Sequence, residues 1–323
     1  MERLTAVDVC SGGGGLALGL EQAGFDPVLL LDKNKQACET LRHNRPKWNV
    51  LEMDLLDFDP LEHQVSYDVD LLSAGLPRVK SFATTKRVET GEELRLLEAA
   101  IYLAHAVRPR ALLIENVPEL VDDAAFEEVR DFIRHELLHL GYGFHWFVVN
   151  AADFGVPQDR KQGVLVALKE PFAKKFRPPD PTVDEHVTVG EALRKSMSAR
   201  GWVGAEEWVK QANRVAPTLV GGSENRGGAD LGPTGTKKAW ARMGINAGAL
   251  SDEVPGPDGT QESDTSGSPL KKITVDQAAT LQAFPEDWII TGRKTPKYRQ
   301  IGHASPPPVG KALGRAIARA LRS

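Results

Sequence analysis

The stretch Asp8-Val9-Cys10-Ser11-Gly12-Gly13-Gly14-Gly15 holds the first residue types in the chain whose order suits chemistry. It lies where an apolar run, Thr5–Cys10, gives way to an amphipathic one, Leu16–Ala23. Glycines in a strand-to-helix turn allow a close backbone approach to a ligand, and the start of the helix offers free amides. The next apolar run, Val28–Leu31, ends in Asp32, whose carboxylate can accept hydrogen bonds from ribose hydroxyls. A third ends near Glu52-Met53-Asp54, where a carboxylate can meet an adenine amine. Each acidic residue alone reads as an ordinary surface group. Three ligand-suited features at three successive strand ends point to an adenosine-containing cofactor, with NAD and S-adenosylmethionine both compatible. No metal site is expected. The eight histidines lack ligand spacing, and His135 and His139, four apart on a helix, read as solvent-facing.

These features need a scaffold, and the pattern from Thr5 to about Lys169 supplies one. Thr5–Cys10, Val28–Leu31, Val69–Ala74, Ala111–Ile114, Phe144–Val149 and Val164–Leu168 predict buried strands. Leu16–Ala23, Lys35–Asn44, Leu94–Ala106 and Phe126–Leu140 carry helical periodicity between them. Such alternation predicts an α/β fold with a parallel, doubly wound sheet. After Pro171 the texture changes, and Arg177-Pro178-Pro179-Asp180-Pro181 can extend neither a helix nor a central strand. Residues 182–268 are rich in Gly, Pro and Ser, with one helix expected at Val189–Met197. Helical pattern returns at Val275–Gln282 and again from Pro308 to Leu321.

Composition sets the outer limits. With 41% apolar residues in 323, the chain can bury a sizeable core, which excludes wholesale disorder. A net charge of −4 excludes a basic nucleic-acid coat, so any such contact must come from a local patch. No apolar run approaches the roughly 20 residues of a membrane span, and Met1-Glu2-Arg3-Leu4 leads into a strand instead of a signal peptide, so a cytoplasmic protein is expected. Two cysteines, Cys10 and Cys38, exclude a disulfide framework.

Read in order, several segments resemble the DNA (cytosine-5) methyltransferase family across nearly the whole chain. Asp8–Gly19 with Leu20-Glu21-Gln22-Ala23-Gly24-Phe25 looks like its cofactor motif, and Glu115-Asn116-Val117 matches its ENV motif. Asn150–Arg160 resembles the segment leading into its QxRxR motif, and Arg214-Val215-Ala216-Pro217-Thr218 the motif that buttresses its recognition region. Leu281-Gln282-Ala283-Phe284-Pro285 and the run from Gln300 to Val309 resemble its closing motifs. The resemblance implies a Rossmann-like S-adenosylmethionine-dependent methyltransferase fold with a small irregular target-recognition domain. Residues 1–170 and 272–323 would form the catalytic domain, and 171–271 the recognition domain. It implies S-adenosyl-L-methionine held by Asp8, Cys10, Ser11, Gly12, Gly14, Gly15, Asp32, Lys33, Asp54, Leu55, Gly75, Pro77, Leu97, His303 and Ala304. Double-stranded DNA with a flipped cytosine is the implied partner, contacted by Arg214, Arg226, Lys237 and Lys238 in a glycine-rich basic region.

The family's chemistry requires a cysteine thiolate to add at cytosine carbon 6 while the ENV glutamate engages ring nitrogen 3 and the exocyclic amine. Here the Pro-Cys loop reads Gly75-Leu76-Pro77-Arg78-Val79-Lys80-Ser81-Phe82, with Arg78 at the cysteine position. A guanidinium is no nucleophile, and neither Cys10 nor Cys38 is placed by the fold to reach a flipped base. Other departures are Gln162 for the second QxRxR arginine, His303 for the asparagine of the closing Gly-Asn-Ala, and Asn34 for a second acidic residue. Glu115 and Arg160 remain. Two functional readings follow. One is a thiol-independent DNA methyltransferase, in which Glu115 holds the base and Arg78 or Lys80 contacts the target phosphate. The other is a catalytically inactive DNA- and cofactor-binding relative with a regulatory or recruiting role; an RNA target is a third, weaker option. A monomer or weak dimer is expected, with a cognate restriction endonuclease left open as a companion.

Overall fold

The strands form where Val, Leu, Ile and Ala crowd together between turn residues. In chain order they are β1 (Leu4–Val9), β2 (Phe25–Asp32), β3 (Val50–Glu52), β4 (Leu71–Gly75), β5 (Ala111–Asn116), β6 (Tyr142–Asn150), β7 (Gln158–Asp159), β8 (Lys161–Lys169) and β9 (Ala216–Pro217). The computed structural model describes residues 2–79, 91–221, 228–261 and 269–323. Its helices are α1 (Gly15–Gln22), α2 (Lys35–Asn44), α3 (Gly91–Val107), α4 (Glu119–Asp122), α5 (Glu127–His139), α6 (Val189–Ser198), α7 (Ala205–Gln211), α8 (Thr234–Arg242), α9 (Val275–Leu281), α10 (Lys294–His303) and α11 (Pro307–Arg322).

The chain folds as two compact units, one of Met1–Val149, Lys161–Asp180 and Val309–Ser323, the other of Asn150–Arg160 and Pro181–Pro308. The first holds a seven-stranded sheet in the order β3-β2-β1-β4-β5-β8-β6. Every residue of β5 is buried and every residue of β1 but one, as expected of strands sandwiched between helical layers. Neighbours β3, β2, β1, β4 and β5 run parallel. These strands bear out the parallel sheet expected from the sequence, and β8 departs from it by pairing antiparallel with β5. Residues 151–160, between β6 and β8, are too few for the helical crossover that a parallel return needs. Helix α11 seats on α1 through glycines: a Cβ on Gly314 would stand 2.7 Å from that of Ala23.

In the second unit, β7 and β9 form a two-stranded parallel ladder. Residues 272–308 fall within this unit, because α9 packs on α6 and α10 on α9. Helices α7 and α8 correct the expectation of a single helix in residues 182–268. They are only seven and nine residues long, and each is secured by a buried tryptophan, Trp208 and Trp240, instead of by a long apolar stripe. Among the described residues, no helix is long and apolar enough to cross a membrane.

Candidate active site

The C-terminal ends of β1, β2 and β3 place their acidic side chains around the glycine turn. Gly12 and Gly14 have φ of 53° and 85°, the left-handed region that glycine enters without strain, and the turn delivers the chain into α1. A Cβ at Gly12 would meet nothing within 4 Å, so open space adjoins the turn. Asp32 fixes it from the neighbouring strand: one carboxylate oxygen accepts the Gly12 amide at 2.7 Å and the other the Asn34 amide at 2.7 Å. Burial raises the Asp32 pKa above the usual carboxylate value, opposed by those two amides. Asp54 Oδ1 accepts the Leu56 amide at 3.0 Å, while its Oδ2 lies 3.4 Å from the Lys33 ammonium.

Beneath the turn, Asp8 is 1% exposed. Its register partner on β4 is Ser73, whose hydroxyl donates to Asp8 Oδ1. The other oxygen, Oδ2, is buried without a hydrogen-bond partner. Desolvation raises the Asp8 pKa to about 6, against the lowering effect of the hydrogen bond from Ser73. Ser11, Gly14 and Gly15 are buried, Cys10 half-buried, and Leu55 and Leu97 belong to the hydrophobic core. The residues present fit an adenosine-containing group: a glycine turn beside open space, two carboxylates at strand ends, and one buried oxygen still to be satisfied.

The loop after β4 is pinned by Asn116, the residue following Glu115 on β5. Asn116 Oδ1 accepts the Val79 amide at 3.0 Å and the Val117 amide at 2.9 Å, while its Nδ2 donates to Pro77 O at 3.2 Å. One buried amide thus grips the backbone on both sides of Arg78. The Arg78 side chain is solvent-exposed, and surrounding protein lowers its pKa while Glu119 raises it. A guanidinium stays charged regardless. Glu115 is 4% exposed and pairs in register with Gly75 on one side and Val164 on the other. Two residues back on β8, and so on the same face, Gln162 donates from Nε2 to Glu115 Oε2 at 3.2 Å. Gly163 makes this pairing possible: a Cβ there would lie 2.2 Å from Val117 O.

Neither cysteine is a poised nucleophile. Burial pushes the Cys10 thiol up to about 12 and the Cys38 thiol to about 11. Cys38 Sγ donates to the backbone carbonyl of Asp32.

Within the second unit, Arg160 is 2% exposed, and its Nη1 donates to Leu219 O at 2.9 Å and Gly302 O at 3.0 Å. Gly302 and Gly221 touch backbone to backbone: a Cβ on Gly302 would be 2.2 Å from Gly221 N. His303 is exposed and Ala304 buried, its carbonyl taken by the Gln282 amide at 2.5 Å. Gln158 ties β7 to the same unit through Gln282 Oε1 at 2.6 Å and the Leu219 amide at 2.9 Å. Of the cations expected to meet DNA, Arg214 and Lys238 are exposed, and Lys237 is paired with Asp230 at 3.0 Å. Arg226 and Lys80 lie outside the described residues.

A family model described as C-5 cytosine-specific DNA methylase matches residues 4–319. The chain belongs to that family. Type II methyltransferase M.NaeI of Lentzea aerocolonigenes is 42% identical over 328 residues, spanning 99% of this chain and 76% of that protein. M.NgoMIV of Neisseria gonorrhoeae is 39% identical over 324 residues, 99% of each. Among solved structures, Spodoptera frugiperda DNMT2 aligns with a TM-score of 0.66 at 14% identity over 98% of this chain and 99% of its own. The S. pombe Dnmt2 methyltransferase aligns with a TM-score of 0.63 at 16% identity over 99% of this chain and 100% of its own. These last two likenesses are of fold: the Rossmann-like arrangement of S-adenosylmethionine-dependent methyltransferases. S-adenosyl-L-methionine is the family's methyl donor, which resolves the NAD alternative.

Sequence reading gave the family's glutamate a role but none to its neighbour. Asn116 was visible only as the middle letter of Glu115-Asn116-Val117; its grip on Pro77 and Val79, far off in sequence, shows only in the fold. Ser73 and Gly163 carried no signal, because each acts through a neighbouring strand.

Proposed function

We propose that the chain binds S-adenosyl-L-methionine at the β1–β3 strand ends and duplex DNA at its basic loops, and methylates an exocyclic amine of a flipped base without a covalent adduct. Gly12, Gly14 and Gly15 would cradle the cofactor, Asp32 its ribose and Asp54 its adenine amine. When bound, the cofactor supplies an electrophilic methyl group. An exocyclic amine needs no thiolate to activate it, only alignment and an acceptor for the charge developing on nitrogen. Glu115 provides that acceptor, and the Gln162 amide fixes its orientation. Arg78 takes the target phosphate, with Lys80 assigned beside it by sequence alone, and residues 171–271 read the site. On this reading the protein works where the DNA is, in the cytoplasm.

The observation that carries the proposal is the Asn116 grip on Pro77 and Val79, which keeps the loop frame around a side chain incapable of nucleophilic addition. A maintained frame suits a pocket that still receives DNA. The test is mass spectrometry of nucleosides from duplex DNA incubated with protein and labelled cofactor. An amino-methylated base is the expected product, and carbon-5 methylcytosine would sink the mechanism. Cofactor and DNA binding with no methyl transferred across a survey of sequences would establish the silent relative instead, a reading favoured by the extra exposed cation at Arg78.

A further inference from the structure

Lys33 sits between two carboxylates from different elements. Its ammonium is 2.5 Å from Glu92 Oε1, in the first turn of α3, and 3.4 Å from Asp54 Oδ2, after β3. The contact is unequal, and Glu92 has the larger share; its hydrogen bond is also the leading cause of the raised Lys33 pKa. Asp54 Oδ1 is committed to the Leu56 amide, so Oδ2 is the oxygen left to take a further donor. An ammonium closing on Oδ2 would occupy the position that an incoming amine needs. Glu92 is well anchored for the opposing pull, because a carboxylate in the first turn of a 17-residue helix is favoured by the free amides and dipole there.

We propose that Glu92 is a positioning residue for the cofactor: by holding Lys33 to its own side, it keeps Asp54 Oδ2 available to the adenine amine. This rests on the reading that Asp54 receives that amine. It assigns a function to a surface ion pair that would otherwise contribute little to stability, and it makes the first turn of α3 part of the cofactor site.

The test is calorimetric titration of the full chain with S-adenosylhomocysteine, which retains the adenine and carries no reactive methyl. Glu92→Gln should weaken binding about three- to tenfold, the range expected when one charge-assisted hydrogen bond is compromised. In a Lys33→Met background, whatever that change costs by itself, Glu92→Gln should add no further loss. That dependence on Lys33 separates positioning from a general structural role, as does an unchanged Tm for Glu92→Gln. Binding by Glu92→Gln equal to wild type, or an equal loss with and without Lys33, would overturn the inference while leaving the cofactor site intact. Wild type that does not bind, or Asp54→Asn that binds as well as wild type, would instead overturn the adenine placement on which it depends.

Discussion

The two ends of the site in the first unit have been treated differently. Around the glycine turn, both carboxylate oxygens of Asp32 and Oδ1 of Asp54 accept backbone amides, and among the described residues Asp8 Oδ2 is a buried oxygen without a hydrogen bond. Chemistry and frame are both in place. At the ends of β4 and β5 the frame is equally well made, with Asn116 gripping the loop and Gln162 bonded to Glu115. Yet the side chain it presents, Arg78, is a guanidinium and no nucleophile. Backbone architecture and reacting group are therefore separable: hydrogen bonds from Asn116 depend on the Pro77 and Val79 backbone, not on what residue 78 carries.

That separation is broken most severely by attacking the frame. Gly163→Ala puts a Cβ 2.2 Å from Val117 O, a backbone atom of the strand end carrying Glu115. The strands must part, at a cost of about 3 kcal/mol or more, and the Gln162–Glu115 bond should go with them. Gly12→Ala is the matched change at the cofactor end. There the Cβ meets open space and only the φ of 53° is strained, for about 1–2 kcal/mol. Thermal unfolding should show the larger fall in Tm for Gly163→Ala. Equal falls would mean that the glycine at β8 has no special role.

Asp8 tests whether the cofactor end carries a cost of its own. Its pKa is raised in the folded protein to about 6 from an ordinary value near 3.8. A raised carboxylate pKa means that the folded state holds the proton more tightly. The associated stability is fully present below about pH 4 and is lost as pH climbs through 6. The shift corresponds to something on the order of 3 kcal/mol between those limits. Asp8→Asn keeps an oxygen for Ser73 and cannot ionise, so it should gain on wild type as pH rises from 4 to 8. Parallel unfolding curves for the two proteins across that range would remove Asp8 as a stored cost.

The glycine turn and the acidic strand ends could be read from the sequence, because they are local patterns tied to strand-to-helix punctuation. The strands from Thr5 to Leu168 could be read for the same reason, by runs of apolar residues between breakers. What escaped reading was non-local. The antiparallel sense of β8 depends on the shortness of residues 151–160, and helices α7 and α8 hang on one buried tryptophan each. Asn116 reaches a loop 37 and 39 residues away in sequence, and no periodicity announces such a contact. Arg160 likewise shows its partners only in the fold: within its own unit its guanidinium donates to the Leu219 and Gly302 carbonyls.

Asn116→Ala sharpens the comparison at lower cost than Gly163→Ala. It removes the acceptor for the Val79 and Val117 amides and the donor to Pro77 O, leaving buried backbone groups to find partners. About 1–3 kcal/mol of stability should be lost. If the frame serves DNA, the variant should also bind duplex more weakly than its stability loss explains, while S-adenosylhomocysteine titrates as in wild type. A loss of cofactor affinity as large as the loss of DNA affinity would join the two ends into one cooperative structure.

The smallest effect is the most direct on function. Arg78→Ala removes one exposed cation and leaves untouched the backbone that Asn116 holds, so folding and cofactor affinity should stay put. If the guanidinium meets a phosphate, duplex affinity falls by less than about tenfold, and the slope of log K against log salt becomes shallower by about 0.9, the counterion release of one contact. Arg78→Lys keeps the charge and should restore the slope even where it restores only part of the affinity, since a point charge replaces a forked donor. Arg78→Ala with an unchanged slope would show that Arg78 faces no phosphate, and the frame around it would then serve the fold alone.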